Sequence, residues 1–279
     1  MLGKEIAAIL EEINPMIVEN FHSAHEITVK SDESIVTKTD REVEEILIPK
    51  LNELLPNSVI IGEESAPSRP EEIDRSFQSE YLWAVDPIDG TTNFASGIPN
   101  FAVSVGLLKQ NEDGFEPIAG GISFPAMSKI YYTHEGKTLC RDLLTNQEEE
   151  IIFREQQPLS TIMLPNHLAL QLNLDPKNRF VGNLRFMGSS AADLVFLSLG
   201  KASATCTIAH IWDVAAGFAI AKTQNLFPKL LSTGQIKINL TRDDFLYGEA
   251  KINWRLKNPL ALCDNEYFSD VQELFNNHK

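Results

Sequence analysis

The chain has 279 residues, 43% of them hydrophobic, enough to bury one large core or two smaller ones. A formal net charge of −15 and a pI near 4.8 argue against nonspecific nucleic-acid binding, which needs a basic surface. The 3 cysteines, Cys140, Cys206 and Cys263, have no paired spacing and fit reduced thiols better than a disulfide framework. No apolar run approaches the ~20 residues of a membrane span, and Met1-Leu2-Gly3-Lys4-Glu5 carries no signal-peptide pattern. The expectation is a cytoplasmic protein without a membrane segment.

Residues 2–21 place Leu2, Ile6, Ile9, Ile13, Ile17 and Phe21 at steps of three and four, which predicts an amphipathic helix with a kink at Pro15. A polar loop follows over Ser31–Thr39. Thr39 followed by Glu42 reads as a capping box, opening a helix with Val43, Ile46, Leu47, Leu51 and Leu54 on one face and a kink at Pro49. β-Branched and aromatic runs predict strands at 58–61, 81–85, 101–108 and 117–124. Residues 65–80 read as a polar surface loop, and 141–158 as a linker carrying Glu148-Glu149-Glu150. Beyond it come a strand at 161–164, a helix from Asn166, a strand near 184–187, a helix from Gly188-Ser189-Ser190 to about Leu199, and a helix starting at Asp213. The last is rich in Ala215, Ala216, Gly217, Ala219 and Ala221, small residues that suit close packing. Strands interleaved with helices in both halves imply stacked α and β layers.

Three acidic segments carry the chemistry. Asp86-Pro87-Ile88-Asp89-Gly90-Thr91-Thr92-Asn93-Phe94 follows the strand-like Tyr81–Val85, so two carboxylates sit in a turn built on Pro87 and Gly90, with a helix beginning at the hydroxyls. Carboxylate oxygens suit Mg²⁺, and backbone N–H groups where a helix begins suit an anion. Gly62-Glu63-Glu64 ends an earlier apolar run, and His210-Ile211-Trp212-Asp213 opens the last helix. Taken singly, each has an ordinary structural role: Asp40 and Asp213 favour a helix dipole or cap, Glu63 and Glu64 are loop acids, and Asp86 and Asp89 are turn formers. Six histidines show no HExxH spacing, and neither a GxSxG elbow nor a P-loop is present.

In order and detail these segments resemble the signatures GEE, DPIDGTTNF and WDxAAG of the inositol monophosphatase family of Mg²⁺-dependent, lithium-sensitive phosphatases. Val36-Thr37-Lys38-Thr39-Asp40 matches a further family segment. The resemblance implies an α+β fold, a layered αβαβα sandwich with lobes at 1–145 and 146–279, and a homodimer. It implies two or three Mg²⁺ ions: one held by Glu63, Asp86 and the carbonyl of Ile88, another by Asp86, Asp89 and Asp213. Asp40 and Thr91 would orient and deprotonate a water, with Glu64 supporting them from outside the ligand set. Ile88, Asp89 and the N–H groups of Gly90 and Thr91 would lie against a phosphate, and Arg185 and Ser189 belong to the segment that meets the alcohol part of the substrate. Arg185 also reads as a surface residue flanking a helix start.

One departure bears on the substrate. Inositol-specific members carry a Glu seven residues before the WD aspartate, and Thr205-Cys206-Thr207-Ile208-Ala209-His210-Ile211-Trp212-Asp213 has none. Fructose 1,6-bisphosphate, histidinol phosphate and other sugar or polyol phosphates therefore stay open beside inositol phosphate. The DGTTNF ending disfavours the adenosine-bisphosphate branch. A small phosphorylated substrate is expected in each case, and a regulatory or interaction protein on the same fold is the alternative.

Overall fold

A computed structural model describes residues 2–23, 27–29, 35–152, 161–169, 171–172, 182–248 and 252–275. In chain order the elements are α1 (Leu2–Phe21), β1 (Ile27–Val29), β2 (Ile35–Thr37), α2 (Lys38–Leu54), β3 (Val59–Gly62), α3 (Pro70–Ser76), β4 (Tyr81–Asp89), α4 (Thr91–Ala95), β5 (Ala102–Asn111), β6 (Gly114–Phe124), β7 (Lys129–His134), β8 (Lys137–Asp142), β9 (Gln147–Ile151), β10 (Thr161–Met163), α5 (Asn166–Ala169), β11 (Asn183–Arg185), α6 (Ser190–Ser198), β12 (Ala204–Thr207), α7 (Ile211–Thr223), β13 (Lys229–Leu230), β14 (Phe245–Leu246), β15 (Arg255–Leu256), β16 (Leu260–Cys263) and α8 (Phe268–Glu273).

Strands β3 to β9 form a seven-stranded sheet in sequence order, antiparallel except for the β3–β4 pair. From the predicted stripes, Ile6, Ile13 and Ile17 of α1, joined by Leu10, and Val43, Leu47 and Leu51 of α2 cover one face, against Trp83, Val85, Val103, Leu107 and Tyr132. Helices α6 and α7 cover the other face. A five-stranded sheet, β11-β10-β12-β16-β13, lies beyond them and is closed on its outer side by α5 and α8 through Leu168, Val271 and Leu274. The result is the αβαβα layering.

The contact of α7 with the first sheet explains its small residues. Gly106 and Gly120 stand opposite each other on β5 and β6. A Cβ on Gly106 would lie 2.6 Å from the Ala216 nitrogen, and one on Gly120 2.6 Å from the Ala216 carbonyl oxygen. The helix backbone thus rests directly on the sheet, and the first turn of α7 reaches the end of β4.

Several expectations are corrected. Strand β4 does not end at Val85 but continues through Asp89, with a register shift between Asp86 and Asp89 against β5. Both carboxylates are therefore strand residues beside an irregularity, because pairing with Ser104 and Ala102 outlasts Pro87. The capping box of α2 is Thr37/Asp40, not Thr39/Glu42. β2 keeps Thr37 extended (φ −101°, ψ 167°), so the helix begins at Lys38. Asp213 does not open α7; its N-cap is His210, and Asp213 lies in the first turn. Within 65–80 the chain forms α3, which Pro70 starts. The supposed linker holds the β8–β9 hairpin, whose glutamates line the exposed strand β9, while 153–158 lie outside the described residues. Residues 31–34 of the expected polar loop also lie outside, and 35–37 are β2. The strand expected near 184–187 is β11, Asn183–Arg185. Helices α1 and α2 span Pro15 and Pro49 as expected.

Candidate active site

The end of β4, the turn after β3 and the starts of α2, α4, α6 and α7 converge at one place. Each contributes through its local chemistry. Asp40 is fully buried, and its Oδ2 accepts from the Thr37 backbone N–H (2.8 Å) and hydroxyl (2.5 Å). Its Oδ1 remains for the Thr91 hydroxyl at 3.2 Å, which also reaches the Ile88 carbonyl at 3.0 Å. Asp213 repeats the device: its Oδ2 accepts the His210 N–H at 2.7 Å, and the His210 ring lies 3.5 Å away, stacked on Trp212. In both helices the capping carboxylate is pinned by one oxygen while the other is left for the site.

Asp89 is held by the second half of the chain. Its Oδ2 accepts from the Ser189 hydroxyl (2.5 Å) and the Ala191 N–H (2.7 Å), and its Oδ1 from the Ser190 N–H (3.2 Å). Ser189 is the N-cap of α6, so the cap and the carboxylate share one cluster of donors. Gly90 has φ +90°, and a Cβ there would meet the Gly188 carbonyl at 3.0 Å and that of Asn100 at 3.2 Å. The amides of Asn93 and Asn100 both donate to the Met187 carbonyl, fastening α4 to the same segment.

Two sets of carboxylate oxygens lie within 4.8 Å of one another: Asp40, Glu63 and Glu64, and Asp86, Asp89 and Asp213. The Oδ1 of Asp86 is buried with no hydrogen-bond partner. Burial, then the charges of Glu63, Asp89 and Asp213, push Asp86 well above the usual carboxylate range. Burial and Asp213 raise Asp89 to about 7 against the pull of its Ser189, Ala191 and Ser190 bonds. Burial opposes ionisation of Asp213 too, but the His210 contacts outweigh it and keep that carboxyl low. Asp40 is raised, chiefly by burial. Buried acids crowded in this way, one oxygen orphaned, suit a hard cation with an oxygen coordination shell.

Arg185 stands at the end of β11, exposed, its guanidinium on the neighbouring Leu184 carbonyl. Cys206, seven residues before Asp213, is buried in the hydrophobic cluster between the second sheet and α8.

Sequence reasoning missed several supporting groups. Glu44 is 3% exposed, and its carboxylate accepts the Glu64 N–H at 3.0 Å. It occupies the room left by Gly62, where a Cβ would come within 2.5 Å of it. Its position one helical turn after Asp40 was the available signal, since two acids on the apolar side of an amphipathic helix break the pattern. Asp193 on α6 is buried with an unpartnered Oδ1, and burial followed by the charge of Asp89 raises it well above its usual value.

The family model described as the inositol monophosphatase family matches residues 4–225. Inositol monophosphatase 1 of Mus musculus is 30% identical over 232 residues, covering 78% of this chain and 80% of that one. A protein of Aquifex aeolicus described as fructose-1,6-bisphosphatase/inositol-1-monophosphatase is 28% identical over 224 residues, 74% of this chain and 77% of that one. The crystal structure of the extragenic suppressor protein suhB of Bartonella henselae has the same fold, with a TM-score of 0.75 at 22% identity over 99% of this chain and 98% of that one. With the family signatures gathered around two sets of carboxylates and the family model matching residues 4–225, the chain belongs to the inositol monophosphatase family of phosphatases.

Proposed function

We propose that this protein hydrolyses a small phosphate monoester (a sugar, polyol or inositol phosphate) with Mg²⁺ and a water as nucleophile. The observation that carries the reading is the set Asp86, Asp89 and Asp213, with Glu63 beside Asp86 and the Asp86 Oδ1 unsatisfied. We assign Glu63, Asp86 and the Ile88 carbonyl to one cation, and Asp86, Asp89 and Asp213 to another, with Asp86 common to both. When bound, the cations would neutralise these acids, acidify a water and stabilise the departing alkoxide.

The chain's own groups have separate tasks. The Thr91 hydroxyl, 3.2 Å from Asp40, is placed to accept the proton of the attacking water while passing its own to Asp40. Burial makes Asp40 a stronger base than a surface aspartate, and Glu64 keeps charge beside it. The backbone N–H groups of Gly90 and Thr91, with Ile88 and Asp89, are assigned to the phosphate. Ser189 orients Asp89, and Arg185 at the rim is assigned to the alcohol portion or a second phosphate. The carboxylate used by inositol-specific members has no counterpart in Thr205–Ile208, and the thiol of Cys206 lies in the core, so a sugar or other polyol phosphate is favoured over myo-inositol 1-phosphate. Lobes at 1–145 and 146–279, a homodimer and a cytoplasmic location complete the reading.

The test is phosphate release from a panel of sugar, polyol, inositol, nucleotide and amino-alcohol phosphates, with Mg²⁺ and with EDTA. Metal-dependent turnover of one class far above the rest is expected. A folded, Mg²⁺-loaded protein that turns over none of them refutes the reading.

A further inference from the structure

Trp254 lies beyond residues 4–225, the segment matched by the family model. It is fully buried, yet its backbone sits at φ +66°, a region that bulky residues avoid. Such a conformation persists only where its surroundings over-determine it, and those surroundings are visible. Its N–H donates to the Leu246 carbonyl at 3.0 Å, and its ring stacks on Phe77 at 5.2 Å and meets Tyr247 edge-on.

Its two remaining polar groups point to the two sides of the candidate cation site. The Trp254 carbonyl accepts the N–H of Ile211 (3.0 Å), the first residue of α7 and two before Asp213. Its indole N–H donates to the Pro67 carbonyl at 2.8 Å, in the loop that leaves Glu63 and Glu64. The next residues reinforce the first contact: Arg255 Nε donates to the Ile208 carbonyl and the Leu256 N–H to that of Ala209, each at 3.0 Å. Glu44 holds the same acidic turn from α2 through the Glu64 N–H. The turn is thus tied to the first half of the chain by Glu44 and to the second by Trp254.

We propose that Trp254 is a positioning residue that sets the separation of Glu63 from Asp213 by clamping the 64–69 loop onto the start of α7. This role rests on the cation site proposed above. The unusual backbone angle aims the carbonyl and the indole at different segments. Without the clamp the 64–69 loop keeps Glu44 and the packing of Ala66 but loses its hydrogen bond to the second half of the chain, and Glu63 is presented to the cation less often in the right place.

Trp254→Phe keeps a ring for Phe77 but removes the indole N–H together with part of the buried ring volume, a packing loss for which Phe245→Leu serves as the control. Calorimetric titration with Mg²⁺ alone should show its affinity reduced roughly five-fold, the scale of one net hydrogen bond, with faster amide exchange over residues 63–69. Pro67→Gly, which loosens the loop without touching the core, should move both readouts the same way. Phe245→Leu, in the same aromatic cluster but without a bond to the loop, should lower Tm and leave Mg²⁺ affinity unchanged. Wild-type Mg²⁺ affinity in Trp254→Phe, or equal weakening in Phe245→Leu, overturns the proposal. A wild-type protein that takes up no Mg²⁺ refutes the cation site itself, and the exchange rates at 63–69 then still report whether the clamp exists.

Discussion

Replacing Asp86 by Asn should stabilise the metal-free protein while abolishing its function. Asp86, Asp89 and Asp213 present oxygens within 4.8 Å of one another; at that separation, with an effective dielectric of about 20, a pair of full charges repels by roughly 3.5 kcal/mol. Asp89, raised to about 7 by burial first and the charge of Asp213 second, shows that ionised carboxyls are unfavourable in this cluster. The sign follows from proton linkage. Folded carboxyls with raised pKa bind protons that the unfolded chain has released, so stability is full below about pH 4 and is lost as pH rises through the folded value, about 7 for Asp89. Asp86→Asn removes one member of the set and can still donate to Asp213. In EDTA at pH 7.5 it should therefore gain about 3 to 4 kcal/mol, or roughly 5 to 7 °C in Tm for a chain of this size, shrinking toward nothing near pH 4. Mg²⁺ should stabilise the wild type at pH 7.5 and leave the variant unmoved, and turnover should vanish. Thermal melts across pH, with EDTA and with Mg²⁺, measure all of this. A metal-free Tm for Asp86→Asn at or below wild type at pH 7.5, or equal Mg²⁺ stabilisation of both proteins, would refute the argument.

Thr91→Val removes the hydroxyl between Asp40 and the Ile88 carbonyl; kcat should fall by roughly 10²- to 10⁴-fold with Mg²⁺ binding retained in calorimetry. Ser189→Ala deletes both the α6 cap and a donor to Asp89, so it should cost about 1 to 2 kcal/mol in denaturant titrations. It should also raise the Asp89 pKa further, moving the acidic limb of the pH–activity profile upward; an unmoved limb would dissociate Asp89 from the chemistry. Gly120→Ala puts a Cβ 2.6 Å from the Ala216 carbonyl oxygen. Lifting α7 off the sheet should cost about 2 to 3 kcal/mol of stability, measured by urea unfolding, and weaken activity through Asp213.

Local pattern and layered structure agree closely in places. The apolar steps of α1 and α2 face the sheet as the periodicity predicts, and the small residues of α7 lie on Gly106 and Gly120. The disagreements have specific causes. A short polar signal such as Thr39 and Glu42 specifies a cap only if the preceding residues leave the strand in time, and β2 holds Thr37 extended by pairing with Ile27. Pro87 reads as a strand end, yet β5 carries the pairing to Asp89. The charged hairpin β8–β9 reads as a linker because the glutamates of its outer strand face solvent.

The sequence by itself pointed to stacked α and β layers and, through the resemblance of its ordered motifs, to Asp40, Glu63, Asp86, Asp89, Asp213 and Thr91 as candidates, because side-chain chemistry and chain order are local properties. The tertiary structure supplied the physical reason that Asp213 meets Asp86, the seating of α7 on the glycines of β5 and β6. It alone showed that Asp89 is held by donors from α6, that Glu44 fills the space beside Gly62, and that Trp254 joins Pro67 to Ile211. Each of these depends on segments far apart in sequence meeting within a hydrogen bond's length, and no local pattern encodes that meeting.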